Sequence, residues 1–144
     1  MTKPLRTEFI IADGGRARWV KRSDHADDFV TVKEITAEHH HTGGPQGVVF
    51  EASSGQRFSV EERDEAVKAH HMVFARSVGD AINAEAAAGI LARLALVAPS
   101  HVLAAITEHL TTGARAHLAK TLAKDLGKTP DHELGTWLRP LETE

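Results

Sequence analysis

The distribution of apolar positions divides the chain into strand-like and helix-like stretches. Thr7 to Ala12 sets Phe9, Ile10 and Ile11 side by side, the pattern of a central strand covered on both faces. Asp13-Gly14-Gly15 supplies hairpin chemistry, since glycine reaches positive φ without steric cost. A second strand is predicted over Ala17 to Lys21, with Arg16, Arg18 and Val20 pointing one way and Ala17, Trp19 and Lys21 the other. After a polar turn at Asp24 to Asp28, Phe29 to Ile35 alternates as a third strand near a sheet edge. Three strands joined by short turns make an antiparallel meander.

The period then changes. Ser59-Val60-Glu61-Glu62 has the form of a capping box and opens a long helix reaching about Ala87. Its expected buried stripe is Ala66, Val67, His70, Val73, Phe74, Val78, Ala81 and Ile82, and Gly89 is the expected terminator. Leu94 to Ala98, bounded by Pro99, reads as a strand, and Ser100 as the cap of a helix over His101 to Leu110. From Ala114 to Leu126 the spacing of Leu118, Leu122 and Leu126 favours a helix on propensity, whereas a strand-helix-strand crossover needs a parallel strand at about Ala116 to Leu122. Thr129-Pro130 starts a last helix that carries Leu134, Trp137 and Leu138 to Pro140.

Read with the strand, this order (β-β-β-α-β-α-β-α) is that of an α/β, ribonuclease H-like domain. Right-handed crossovers place the fourth strand beside the first and the fifth outside it, giving a five-stranded mixed sheet of order 3-2-1-4-5. With 144 residues the chain is expected to be one domain, residues 1–144. The absence of cysteine excludes disulfides, thiolate ligands and cysteine nucleophiles. No apolar run has the length of a signal peptide core or a membrane span, so a cytoplasmic protein without a membrane partner is expected. A formal net charge of -3 argues against whole-surface binding to nucleic acid, so any polyanion site must be a local patch.

Three motifs occur in one order: Phe9-Ile10-Ile11-Ala12-Asp13-Gly14-Gly15-Arg16-Ala17-Arg18, then Leu94-Ala95-Leu96-Val97-Ala98-Pro99, then Lys124-Asp125-Leu126. In them the chain resembles the bacterial host attachment protein family over nearly its whole length. That resemblance implies a strand before Lys124 and a role in attachment to host cells. The family in turn is similar to the middle domain of archaeal and eukaryotic peptide release factors. That domain presents a Gly-Gly-Gln loop between its third strand and first long helix, and the loop enters the ribosomal peptidyl-transferase centre.

The corresponding stretch here is a long loop at residues 38–59, holding His39-His40-His41, Gly43-Gly44-Pro45-Gln46 and Ser54-Gly55-Gln56-Arg57-Phe58. Neither glutamine matches the release-factor motif. Pro45 precedes Gln46, removing a backbone donor and fixing φ; Ser54 replaces the first glycine before Gly55 and Gln56. Gln56 is the better positional match, so Gln56, Gln46 and Gly55 are the candidates for a surviving hydrolytic loop. Nuclease chemistry needs carboxylates converging on paired cations; Asp13 stands where the first would, but Ala98-Pro99-Ser100 offers no acid. His39, His40 and His41 splay along an extended backbone, and His70 and His71 lie about 100° apart on a helix, so no metal site and no cofactor is expected. His70 is expected as a hydrogen-bonded core histidine.

The local basic stretch is Arg16, Arg18, Lys21 and Arg22, joined by Arg57. It suits RNA phosphates, although the plain reading of these arginines is a solvated face, with Trp19 packed beneath the long helix. The expectation is a non-enzymatic binding module associated with the ribosome or tRNA. The alternatives are a peptidyl-tRNA hydrolase acting in ribosome rescue and a protein-interaction factor acting indirectly in attachment, with a homo-oligomer left open.

Overall fold

The computed structural model describes residues 7–23, 28–37 and 60–142. Strands β1 (Thr7–Ala12), β2 (Arg16–Arg22) and β3 (Phe29–Thr36) form the meander. Helix α1 (Val60–Ala87), β4 (Arg93–Ala98), α2 (Ser100–His109), the short α3 (Thr112–Arg115) and β5 (Leu118–Ala123) follow. The five strands form one mixed sheet of order β3-β2-β1-β4-β5, antiparallel from β1 to β3 and parallel across β1, β4 and β5. This is the expected α/β arrangement.

The adjacent apolar residues of β1 divide between two cores. Ile10 joins Trp19, Phe74, Val78, Ile82, Leu96 and Ile106 beneath α1 and α2. Phe9 and Ile11 join Val20, Phe29, Val97, Leu126, Leu134 and Leu138 on the opposite face, where Phe9 and Phe29 meet edge to face with centroids 5.4 Å apart. Side chains alternate along a strand, so a central strand must be apolar at successive positions to serve both.

The stripe on α1 is not the one the spacing suggests. Ala66, Val67 and His70 are exposed and Val73 is 57% exposed, whereas the buried line is Phe74, Ala75, Val78 and Ile82, with His71 half-buried. Length explains most of this. At about 1.5 Å per residue, the 28 residues of α1 span roughly twice the reach of the six-residue β1 and β4 at about 3.3 Å per residue. Much of the helix therefore runs past the sheet, and among the described residues only its later turns contribute to the core. Gly89, at φ 77, ends it as expected: Ile90 N–H donates to Glu85 O at 3.1 Å, the closing bond of a Schellman turn.

Residues 118–123 form a strand, as the architecture requires and propensity does not. The register with β4 shifts between Leu94 and Ala95. Leu118 consequently packs on the helix-side core and Leu122 on the other, so a spacing that looks helical serves two faces of a sheet. The expected cap Ser59 lies outside the described residues, and one other capping detail differs from expectation. Ser100 is the first residue of α2 rather than its cap; Pro99 precedes the helix and no side chain caps it. The final helix is broken into a 3₁₀ turn at Asp131–Glu133, helix α4 (Gly135–Leu138) and a 3₁₀ turn at Arg139–Leu141; Gly135 and Pro140 interrupt a single helix.

Candidate functional site

The carboxyl ends of β1, β4 and β5 lie at one end of the sheet, together with the start of β2 and the end of β3. There Asp13 Oδ1 accepts the N–H groups of Gly15 and Arg16, each at 2.8 Å, so its first task is to hold the hairpin turn. Its Oδ2 looks onto Gly127, where an added Cβ would lie 2.2 Å away. Gly127 thus lets the segment after β5 approach the β1 turn, and Asp125 Oδ1 accepts Gly127 N–H at 3.1 Å.

Arg18 fastens that segment from below. Its side chain is 5% exposed; Nη2 donates to Leu126 O at 2.8 Å and Thr129 O at 2.7 Å, and Nη1 donates to Asp131 Oδ1 at 3.1 Å. Burial pushes the guanidinium pKa down, Asp131 opposes, and the group stays a cation. Asp131 also accepts from Thr31, from its backbone N–H at 2.9 Å and from its hydroxyl at 2.6 Å. The free edge of β3 is therefore blocked at Thr31, next to an unopposed Val32 at a register shift, two devices that protect an edge strand.

Between β3 and this segment runs a groove of about 520 Å³, lined by Arg16, Arg18, Glu34, Lys128 and Asp131 among others. Arg16 Nε pairs with Glu34 Oε2 at 2.5 Å on the surface, while Lys128 is exposed. Lys33 also borders the groove, but its ammonium lies 4.7 Å from the Trp19 ring centroid.

The basic stretch of the sequence is thus split. Arg16 and Arg18 share the groove, and the solvated-face reading fails for Arg18, which bonds internally. Lys21 is exposed. Arg22, at the far end of β2, donates through Nε to Glu142 Oε2 at 2.9 Å and lies 5.2 Å from the Phe29 ring. Trp19 is buried beneath α1, as expected, with Nε1 donating to Glu85 Oε1 at 2.8 Å. Lys128 and Asp131, which belong to no motif of the sequence, complete the groove; the turn chemistry of Asp125-Leu126-Gly127 is the local signal beside them. Arg57, Gln46, Gly55, Gln56 and His39 to His41 lie outside the described residues.

The histidine that packs inward is His71, not His70. Its Nδ1 lies 3.0 Å from His101 Nε2, with ring centroids 5.3 Å apart and planes 26° apart. Those values describe two imidazoles meeting nitrogen to nitrogen nearly in one plane, an N–H···N bond that joins α1 to α2. Burial, and after it His101, pushes the His71 pKa down. The His71 ring lies on Gly14, where an added Cβ would come within 2.2 Å of it. Among the described residues no three histidine, aspartate or glutamate side chains form a metal-binding group, and no helix is long and apolar enough to cross a membrane.

The model of a family described as "protein required for attachment to host cells" matches residues 9–138. No curated protein matches the chain.

Proposed function

Because the chain belongs to the family of proteins required for attachment to host cells, we propose that it serves as a non-enzymatic binding module whose groove beside β3 takes an anionic partner, ribosomal or transfer RNA. The observation that carries this reading is the groove itself, about 520 Å³ with Arg16 and Arg18 on one side and Lys128 on the other. In a chain of net charge -3 its lining sets Arg16, Arg18, Lys33 and Lys128 against two acids, Glu34 and Asp131, a local excess of cations. Phosphate binding rests on such contacts and weakens steeply with salt. The Arg16–Glu34 pair is exposed on both sides, so exchanging its carboxylate for a phosphate oxygen requires little desolvation. The resemblance to release-factor middle domains supplies RNA as the polyanion.

Co-sedimentation with ribosomes tests the reading. The protein is expected to pellet at low salt and to be released as salt rises. Arg16→Ala and Lys128→Ala each reduce the salt slope by about one unit. Arg18 is unsuitable for this test, because its removal disturbs the fold. No pelleting at low salt, or unchanged pelleting of both variants, would overturn the proposal.

A further inference from the structure

Glu8 occupies the strand at the centre of the sheet, one alternation before Ile10 and so on the face that α1 covers. Glu85 approaches it from the last turn of α1, near enough that its carboxyl acts on that of Glu8. Ionised carboxylates only accept, so a bond between two of them requires a proton. The Trp19 indole N–H donates to Glu85 Oε1 at 2.8 Å, so that oxygen of Glu85 is engaged as an acceptor. Glu8 Oε2 is buried with no hydrogen-bond partner, the environment of a neutral acid rather than a carboxylate.

We propose that Glu8 and Glu85 form a proton-operated clasp: carrying one proton they fasten the end of α1 to the sheet across Trp19, and on losing it they loosen that end.

The charges that face the pair agree with this. Burial acts first and Glu85 on α1 second, pushing the Glu8 pKa up to about 7, while Lys33 on β3 opposes. Leu94, the register partner of Glu8 on β4, is apolar, and Lys21, next on that face of β2, is exposed. A carboxyl whose folded pKa lies above its unfolded value stabilises the fold fully below the unfolded pKa, and this contribution is lost as pH rises through the folded value. The clasp therefore holds below about pH 7 and opens above it. His71 acts with the opposite sign: its lowered pKa makes stability rise as pH rises through the ordinary histidine range. A local reporter separates the two.

Trp19 is that reporter. In the full chain carrying Trp137→Phe, which keeps an aromatic ring beneath Lys124, Trp19 emission is expected to show one transition near pH 7. Glu8→Gln, which retains a hydrogen-bonding side chain but cannot ionise, is expected to abolish the transition and to raise the unfolding temperature above the parent's on the alkaline side by roughly 2–6 °C. Glu85→Gln, the second variant, removes the neighbouring charge and moves the midpoint to lower pH. Flat emission in the parent, a transition that survives Glu8→Gln in a folded protein, or a midpoint unmoved by Glu85→Gln would each overturn the clasp.

Discussion

Arg18→Ala is expected to lower the unfolding free energy by about 3–5 kcal/mol, the usual result of removing one partner from a buried charged network. Three acceptors depend on this guanidinium: the carbonyls of Leu126 and Thr129 and the carboxylate of Asp131. Without it the two carbonyls lose donors, and Asp131 is left holding only the Thr31 edge. Arg18→Lys keeps the charge but not the planar fork, and one ammonium cannot replace that geometry, so an intermediate loss is expected. Asp131→Ala should cost less, about 1–3 kcal/mol, because its side chain is 39% exposed. Urea unfolding of the three variants decides the matter: a loss under about 1 kcal/mol for Arg18→Ala would show that the apolar packing of Leu126 and Leu134 and the Thr31–Asp131 bonds hold the segment after β5 without it. The groove's shape would then not depend on its arginine.

What could be read from the sequence, and what could not, follows from how far apart the interacting residues lie. Phe9-Ile10-Ile11 carries its own message, since only a strand covered on both faces needs apolar residues in succession, and the same holds for Leu94 to Ala98. Given those strands, handedness of the crossovers leaves one sheet order, the order observed. Arg18 was not legible in this way. Its partners Leu126 and Asp131 lie 108 and 113 positions away, and nothing near Arg18 distinguishes it from Arg16, which lies two residues earlier on the same face and is exposed. His70 and His71 failed for a related reason: the local period permits either to face inward, and the choice is made by Gly14 and His101, which come from other elements. Lys128 and Asp131 follow Gly127, whose lack of a side chain admits Asp13; a glycine in a turn does not announce which carboxylate it makes room for.

Phe74→Ala is expected to cost about 3–5 kcal/mol, against a change within about 0.5 kcal/mol for Val73→Ala, although the two residues are neighbours on α1. Phe74 is 1% exposed and belongs to the core that joins α1 to the sheet, whereas Val73 is 57% exposed. Removing the phenyl ring leaves a cavity between α1 and strands that are themselves packed on the other side, so the surroundings cannot collapse to fill it. Removing the Val73 methyls takes little surface out of contact, and alanine's better helix propensity offsets part of that loss. Val67→Ala, at 49% exposure, should resemble Val73→Ala. The comparison tests the register of the helix directly: a stripe through Val67, His70 and Val73 would make both valine variants costly, while the line through Phe74, Val78 and Ile82 makes only the phenylalanine variant so. If both valine variants lose more than about 1 kcal/mol, the first half of α1 is covered by something that binds the apolar face running past the sheet.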